Sequence, residues 1–165
     1  MSLMRRFFLI FSLLLAPSLF AQVRVSAYAS DVFETDAKGF GAALEYRFQP
    51  RWAAEVAVAS ETHTISNFLS FTERDVRTRP IDLMVHYYFV NQTRWEPFLG
   101  AGVRHVTSSD DAIDDQTSAE IDGGFHFMVT PSFSIRVDGR VPFEDNDTIS
   151  FGPALKLSAG VGWKF

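Results

Sequence analysis

From residue 23 onward, apolar and polar side chains alternate with a period of two, run after run. Val23, Val25, Ala27 and Ala29 interleave with Arg24, Ser26, Tyr28 and Ser30. Phe40, Ala42, Leu44, Tyr46 and Phe48 interleave with Gly41, Ala43, Glu45 and Arg47. The same alternation recurs over 52–59, 81–89, 97–104, 119–129, 133–141 and 151–165. A period of two puts successive side chains on opposite faces of an extended chain, so the pattern predicts eight strands, each with one apolar face. On these runs thirteen charged residues fall on the polar face and none on the apolar one.

A soluble barrel would alternate in the same way, with its apolar face turned inward. Two features favour the opposite arrangement. Phe48, Trp52, Phe89, Trp95, Phe133, Trp163 and Phe165 gather by the short connections, at the strand ends of the apolar face. Rings at that height form the girdle of a membrane interface. The connections also alternate in length: 31–39, 60–79 and 108–118 are long and 142–149 is intermediate, whereas 49–51, 90–95 and 130–132 are short. Long external loops and short periplasmic turns mark outer-membrane barrels. In lipid every backbone amide needs an internal partner, so strands span only as a closed sheet. The expected fold is all-β: an eight-stranded, antiparallel, up-and-down transmembrane barrel in the bacterial outer membrane.

The first 21 residues differ from the rest. Arg5 and Arg6 precede the apolar stretch Phe7–Leu15, and Pro17, Ser18 and Ala21 follow, which predicts a signal peptide over 1–21 and a barrel over 22–165. The barrel segment carries 13 basic and 20 acidic residues, an acidic balance that argues against a nucleic-acid partner. With no cysteine in the chain, disulfides, thiolate metal sites and a lipidated cysteine are excluded.

The end Leu155-Lys156-Leu157-Ser158-Ala159-Gly160-Val161-Gly162-Trp163-Lys164-Phe165 resembles the C-terminal signal by which outer-membrane barrels are recognised for assembly. Val161, Trp163 and Phe165 would carry it, and the barrel-assembly machinery would be the partner. The middle of the chain, with Tyr87-Tyr88-Phe89 followed by Pro97-Phe98-Leu99-Gly100-Ala101-Gly102-Val103, resembles the small barrels of the OmpW-like and opacity-type families. The OmpW-like resemblance implies passage of small hydrophobic molecules with sideways release into the membrane.

Inside an eight-stranded barrel there is room for little but side chains. The candidate lumen network is Arg24, Glu45, Arg47, Glu55, Asp82, His86, Arg104, Glu120, Asp122, His126, Arg136, Asp138, Arg140 and Lys156, with Lys164 below it. Buried charge is tolerable only when paired, so these residues are expected to bond to one another. A three-residue turn at 130–132 would set Asp122 opposite Arg140 and His126 opposite Arg136, and the turn at 49–51 would set Glu45 opposite Glu55. Inward residues are bulky near the short turns and small toward the long loops, which predicts a cup open to the outside. Pro142 and Pro153 near the outer ends of the last two strands remove ladder donors and mark a candidate lateral opening.

Loop residues Asp110, Asp111, Asp114, Asp115, Glu144, Asp145 and Asp147 are acidic but lack calcium-loop spacing, and no metal or cofactor is expected. Ile65, Phe68, Leu69 and Phe71 make the second long loop sticky. His63, His86, His105 and His126 show neither zinc-ligand spacing nor a close His-x-Ser spacing, so no enzyme is expected. The remaining partners expected are membrane lipid, lipopolysaccharide and a small hydrophobic solute. Two roles follow: a channel or binding cup for such solutes, or a non-conducting barrel acting through its loops as a structural, adhesive or protective element.

Overall fold

The computed structural model describes residues 22–33, 37–67, 72–89, 93–109, 115–143 and 155–165. Within them the chain forms eight strands: β1 (Gln22–Val32), β2 (Ala37–Gln49), β3 (Trp52–Asn67), β4 (Thr72–Tyr88), β5 (Trp95–Ser108), β6 (Gln116–Met128), β7 (Phe133–Phe143) and β8 (Lys156–Lys164). Each pairs antiparallel with its neighbours in sequence, and β8 pairs with β1 to close a barrel. No helix among the described residues is long and apolar enough to cross a membrane; crossing falls to the strands.

The register fixes the barrel's shape. One row of partners runs Gln22, Arg47, Ala53, His86, Gly100, Asp122, Arg140, Lys156 and returns to β1 at Val32, ten residues beyond its start. Closing a sheet with such a stagger tilts the strands and narrows the lumen. Each strand therefore stands a little over one residue further out than its predecessor along a row.

The molecule is inside-out relative to a soluble domain. Val25, Leu44, Val56, Val58, Leu83, Val103, Ile121, Val137 and Val161 are exposed on the outer wall, while the buried positions are mostly polar or charged. At the short-turn end Trp52 meets Tyr87 with ring centroids 5.0 Å apart, Trp95 meets Phe127 at 4.8 Å, and Phe133 meets Trp163 at 6.3 Å. Val161 and Trp163 lie on this outer face, next to the terminal Phe165.

The strands run further than apolar alternation reveals. Most of 60–79, expected as a long loop, is strand: β3 continues to Asn67 and β4 begins at Thr72. Beyond the rungs Lys38–Thr62 and Thr78–Ser108 the described pairs join the two strands to each other, from His63–Val76 to Asn67–Thr72. These further rungs lengthen the pair by roughly 17 Å at the usual rise per residue. The reason is physical: here the buried face carries Glu61 and Thr78 and the exposed face Arg77 and Arg79, so the period of two persists with polar residues on both faces and leaves little hydrophobic signature. Likewise β2 begins at Ala37, β5 spans Trp95–Ser108, β6 begins at Gln116 and β7 continues to Phe143, each beyond its predicted limit. The expected signal segment 1–21, Pro153, the residues 151–154 of the last predicted strand, and Phe68, Leu69 and Phe71 lie outside the described residues. So do Asp110, Asp111, Asp114, Glu144, Asp145 and Asp147, whereas Asp115 is described and exposed.

Candidate functional site: the barrel lumen

All fourteen residues of the candidate network are buried within the barrel. They fall into three tiers. Nearest the short turns, Arg24 donates from Nη1 to Glu45 Oε1 (3.2 Å) and from Nη2 to Glu96 Oε2 (2.7 Å). Arg47 Nη2 donates to the same Glu96 oxygen at 3.1 Å, and its guanidinium lies 3.9 Å over the Tyr88 ring. The Tyr88 hydroxyl donates to Glu45. Tyr88, Phe98 and His126 stack beside them, with Phe98 5.6 Å from Tyr88 and 5.5 Å from His126. Among the described residues the His126 ring nitrogens have no hydrogen-bond partner, so this ring acts as a flat filler among aromatics.

The middle tier centres on Arg140. It donates to Asp138 (3.0 Å), Asp82 (2.8 Å) and Glu55 (2.9 Å), tying β7 to β4 and β3 across the lumen. Arg136 donates to Asp138 at 2.6 Å and forks onto both oxygens of Glu55. A guanidinium presents donors in a planar fork, which is why two arginines satisfy one carboxylate from two sides. His86 bridges Asp122, 2.9 Å from its Nε2, and Glu45, 3.4 Å from its Nδ1. Toward the outside, Arg104 donates to Glu61 (2.8 Å) and Glu120 (3.3 Å), and Lys156 Nζ pairs with Glu61 at 2.7 Å.

Register and contact part company here. Asp122 is the partner of Arg140, His126 of Arg136 and Glu45 of Glu55. Yet Arg140 reaches past Asp122 to opposite strands, and Asp122 takes His86 instead. The repulsion between Glu45 and Glu55 is relieved separately, by Arg24 on one and by Arg136 with Arg140 on the other. Ligand atoms of Glu45, Glu55 and His86 lie within 4.8 Å of one another, a spacing that suits a metal ion. Arginines already bond both carboxylates, so the cluster is neutralised by the chain itself.

Two members of the network lay outside the predicted set. Glu61 falls in the segment taken for a loop, and Glu96 stands one residue before the strand predicted to begin at Pro97. The signal that finds them is the continued inward alternation Ala57, Ala59, Glu61 and Phe98, Glu96. Among the described residues, small inward positions toward the outside, where a cup is expected, are partners of large ones: a Cβ on Gly41 would sit 2.6 Å from the Tyr28 ring, and one on Gly102 2.7 Å from Met84 Sδ. Lys156 and Arg140 in turn lie 5.7 and 5.9 Å from the Tyr28 ring. A cavity of about 590 Å³ lies at the short-turn end, lined by Arg47, Arg94, Glu96, Met128 and Lys164 among others.

Pro142 sits in β7 opposite Glu120 of β6, two residues past the last described β7–β8 pair, Arg140–Lys156. His63 and His105 face threonine hydroxyls, Thr78 at 3.0 Å and Thr117 at 2.8 Å.

The family model of OmpW matches residues 20–138. No curated protein sequence matches the chain. Among solved structures, the N-terminal β-barrel domain of Pseudomonas aeruginosa OprF is similar at 18% identity and TM-score 0.63, over 87% of this chain and 97% of that one. Escherichia coli OmpW is similar at 13% identity and TM-score 0.58, covering 88% and 98%. Yersinia pestis Ail in a phospholipid nanodisc is similar at 15% identity and TM-score 0.58, covering 88% and 99%. At these identities the solved structures establish the shared barrel fold, and the protein's place is the bacterial outer membrane.

Proposed function

The chain belongs to the OmpW family, and we propose that within it this protein works as a non-conducting barrel, with a structural plug for a lumen and an external hairpin for a working surface. The carrying observation is the Arg140 node, 0% exposed and bonded to carboxylates on three strands. A water or solute path down the axis would have to strip partners from several buried charges at once, and leaving one such charge unpaired costs about 3–5 kcal/mol. The ribbon formed by the outer ends of β3 and β4 supports a surface role, since its described pairs run past the Lys38–Thr62 and Thr78–Ser108 rungs to Asn67–Thr72. Non-enzymatic work suits this arrangement.

A second reading, binding of small hydrophobic solutes with sideways release, draws support from the family itself and from β7 outrunning its described β8 ladder at Pro142. The two readings separate in liposomes carrying the refolded barrel. Apolar and polar solutes both entering no faster than into empty liposomes is the result expected of a plugged barrel. Selective entry of apolar solutes would replace that reading with the second.

A further inference from the structure

Above the apolar wall stands a group of basic side chains that the lumen does not use. Lys38 on β2, Arg77 and Arg79 on β4, and His105 on β5 all point outward and are exposed. Lys38 shares a row with Thr62 and Arg77, two strand spacings or about 10 Å across. Arg79 lies two residues nearer the membrane than Arg77, on the same face, and His105 pairs with Ile81. Because the rows climb outward by a little over one residue per strand, Lys38, Arg79 and His105 come to the same level, with Arg77 one step above.

Directly beneath them the wall turns apolar: Phe40 below Lys38, Ile81 below Arg79 and Val103 below His105. Phe40, at 73% exposed, is among the most exposed of these apolar residues. Elsewhere on the circumference the same level is different. Phe143 on β7 and Leu155 just before β8 stand there, apolar and exposed, with Phe33 just past β1. Among the described residues the acidic neighbours are Asp31, opposite Lys38 on β1, Asp75, two residues beyond Arg77 on β4, and Asp115, two residues before Thr117, the partner of His105. Cations seated on the edge of the apolar belt on one side only, where the opposite wall stays apolar, mark a local demand for anions at headgroup height.

We propose that the outward face of β2–β5 is a docking site for a phosphorylated glycolipid of the outer leaflet, its phosphate held by Arg77, Arg79 and Lys38. The acyl chains lie along Phe40, Val58, Ile81 and Val103. The guanidinium forks of Arg77 and Arg79 match phosphate oxygens, and Arg79 is flanked by the small side chains Ser60 and Thr107, which leave the headgroup room. A bound phosphate also relieves the repulsion of two arginines stacked on one strand face.

The test uses the folded barrel in detergent micelles, titrated by native mass spectrometry with bisphosphorylated lipid A and with its dephosphorylated counterpart. Wild-type protein is expected to hold the phosphorylated lipid more tightly. The double variant R77Q/R79Q is expected to lose about twentyfold in that affinity, at roughly fivefold per cation near a membrane surface. The variant R51Q/R94Q, at the short-turn end, is expected to bind like wild type. All four positions are exposed, and heat-dependent gel mobility reports whether each variant is folded. Equal binding of both lipids by wild-type protein overturns the proposal without recourse to any variant. So does unchanged affinity in folded R77Q/R79Q, or an equal loss in R51Q/R94Q, which would reveal only a general attraction for cations.

Discussion

Arg140 and Arg77 are the same residue type a few strands apart, and the barrel treats them oppositely. Arg140 is fully enclosed and shared among Asp138, Asp82 and Glu55, so its charge is held by geometry. Arg77 stands in the open on the outer face, beside Asp75 and Arg79 along its own strand. In the lumen a charge is a structural part, because water cannot replace a missing partner. At the rim water always can, so a charge there is free to serve a ligand. Position relative to the lipid and the lumen, more than residue type, sets what each arginine does.

The most severe way to break this contrast is Arg140→Ala, which leaves three carboxylates facing one another without their shared cation. It is expected to destabilise the barrel by about 3–5 kcal/mol, seen as an earlier urea midpoint by tryptophan fluorescence in vesicles. A loss below about 1 kcal/mol would mean that the network is loosely held and the plug expendable.

Placing the same charge where neither water nor a partner exists sharpens the comparison next. Leu83→Arg, mid-wall on the lipid face at 49% exposure, is expected to cost about 2–4 kcal/mol in the same assay. Stability equal to wild type would show that this face is not the one meeting lipid. The smallest effect belongs to Arg77→Gln, expected to shift stability by no more than about 0.5 kcal/mol. A larger loss would make Arg77 a structural residue and bring the two arginines into one class.

Much of the fold was legible in the chain because lipid outside and charge inside impose the period of two on each strand. The runs around Leu44, Val56, Leu83 and Ile135 stand on that signal, and so do the inward positions of Glu45, Glu55, Asp82 and Arg136. Legibility faded where polar residues stand on both faces. Arg77 and Arg79 outside and Glu61 and Thr78 inside alternate as strictly as any strand, but with charge on either face the hydrophobic contrast is lost, and the segment looks like a loop. Glu61 and Glu96 were hidden because each stands just past the end of an apolar run.

Neighbours along the sheet were also readable, since a three-residue turn sets Asp122 beside Arg140 by counting. Who bonds whom was not. A long arginine side chain reaches across the lumen as easily as along a rung, and which carboxylate it meets depends on closure of β8 on β1 and on the stagger between them. The sequence alone determined eight strands from local alternation, and which face meets lipid and which residues point inward from the aromatic girdle and the alternating loop lengths. The tertiary structure decided the partners of Arg140, the filling of the outer half by Tyr28 against Gly41, and the level shared by Lys38, Arg79 and His105. Each depends on the ten-residue stagger, a property of the closed ring that no single strand carries.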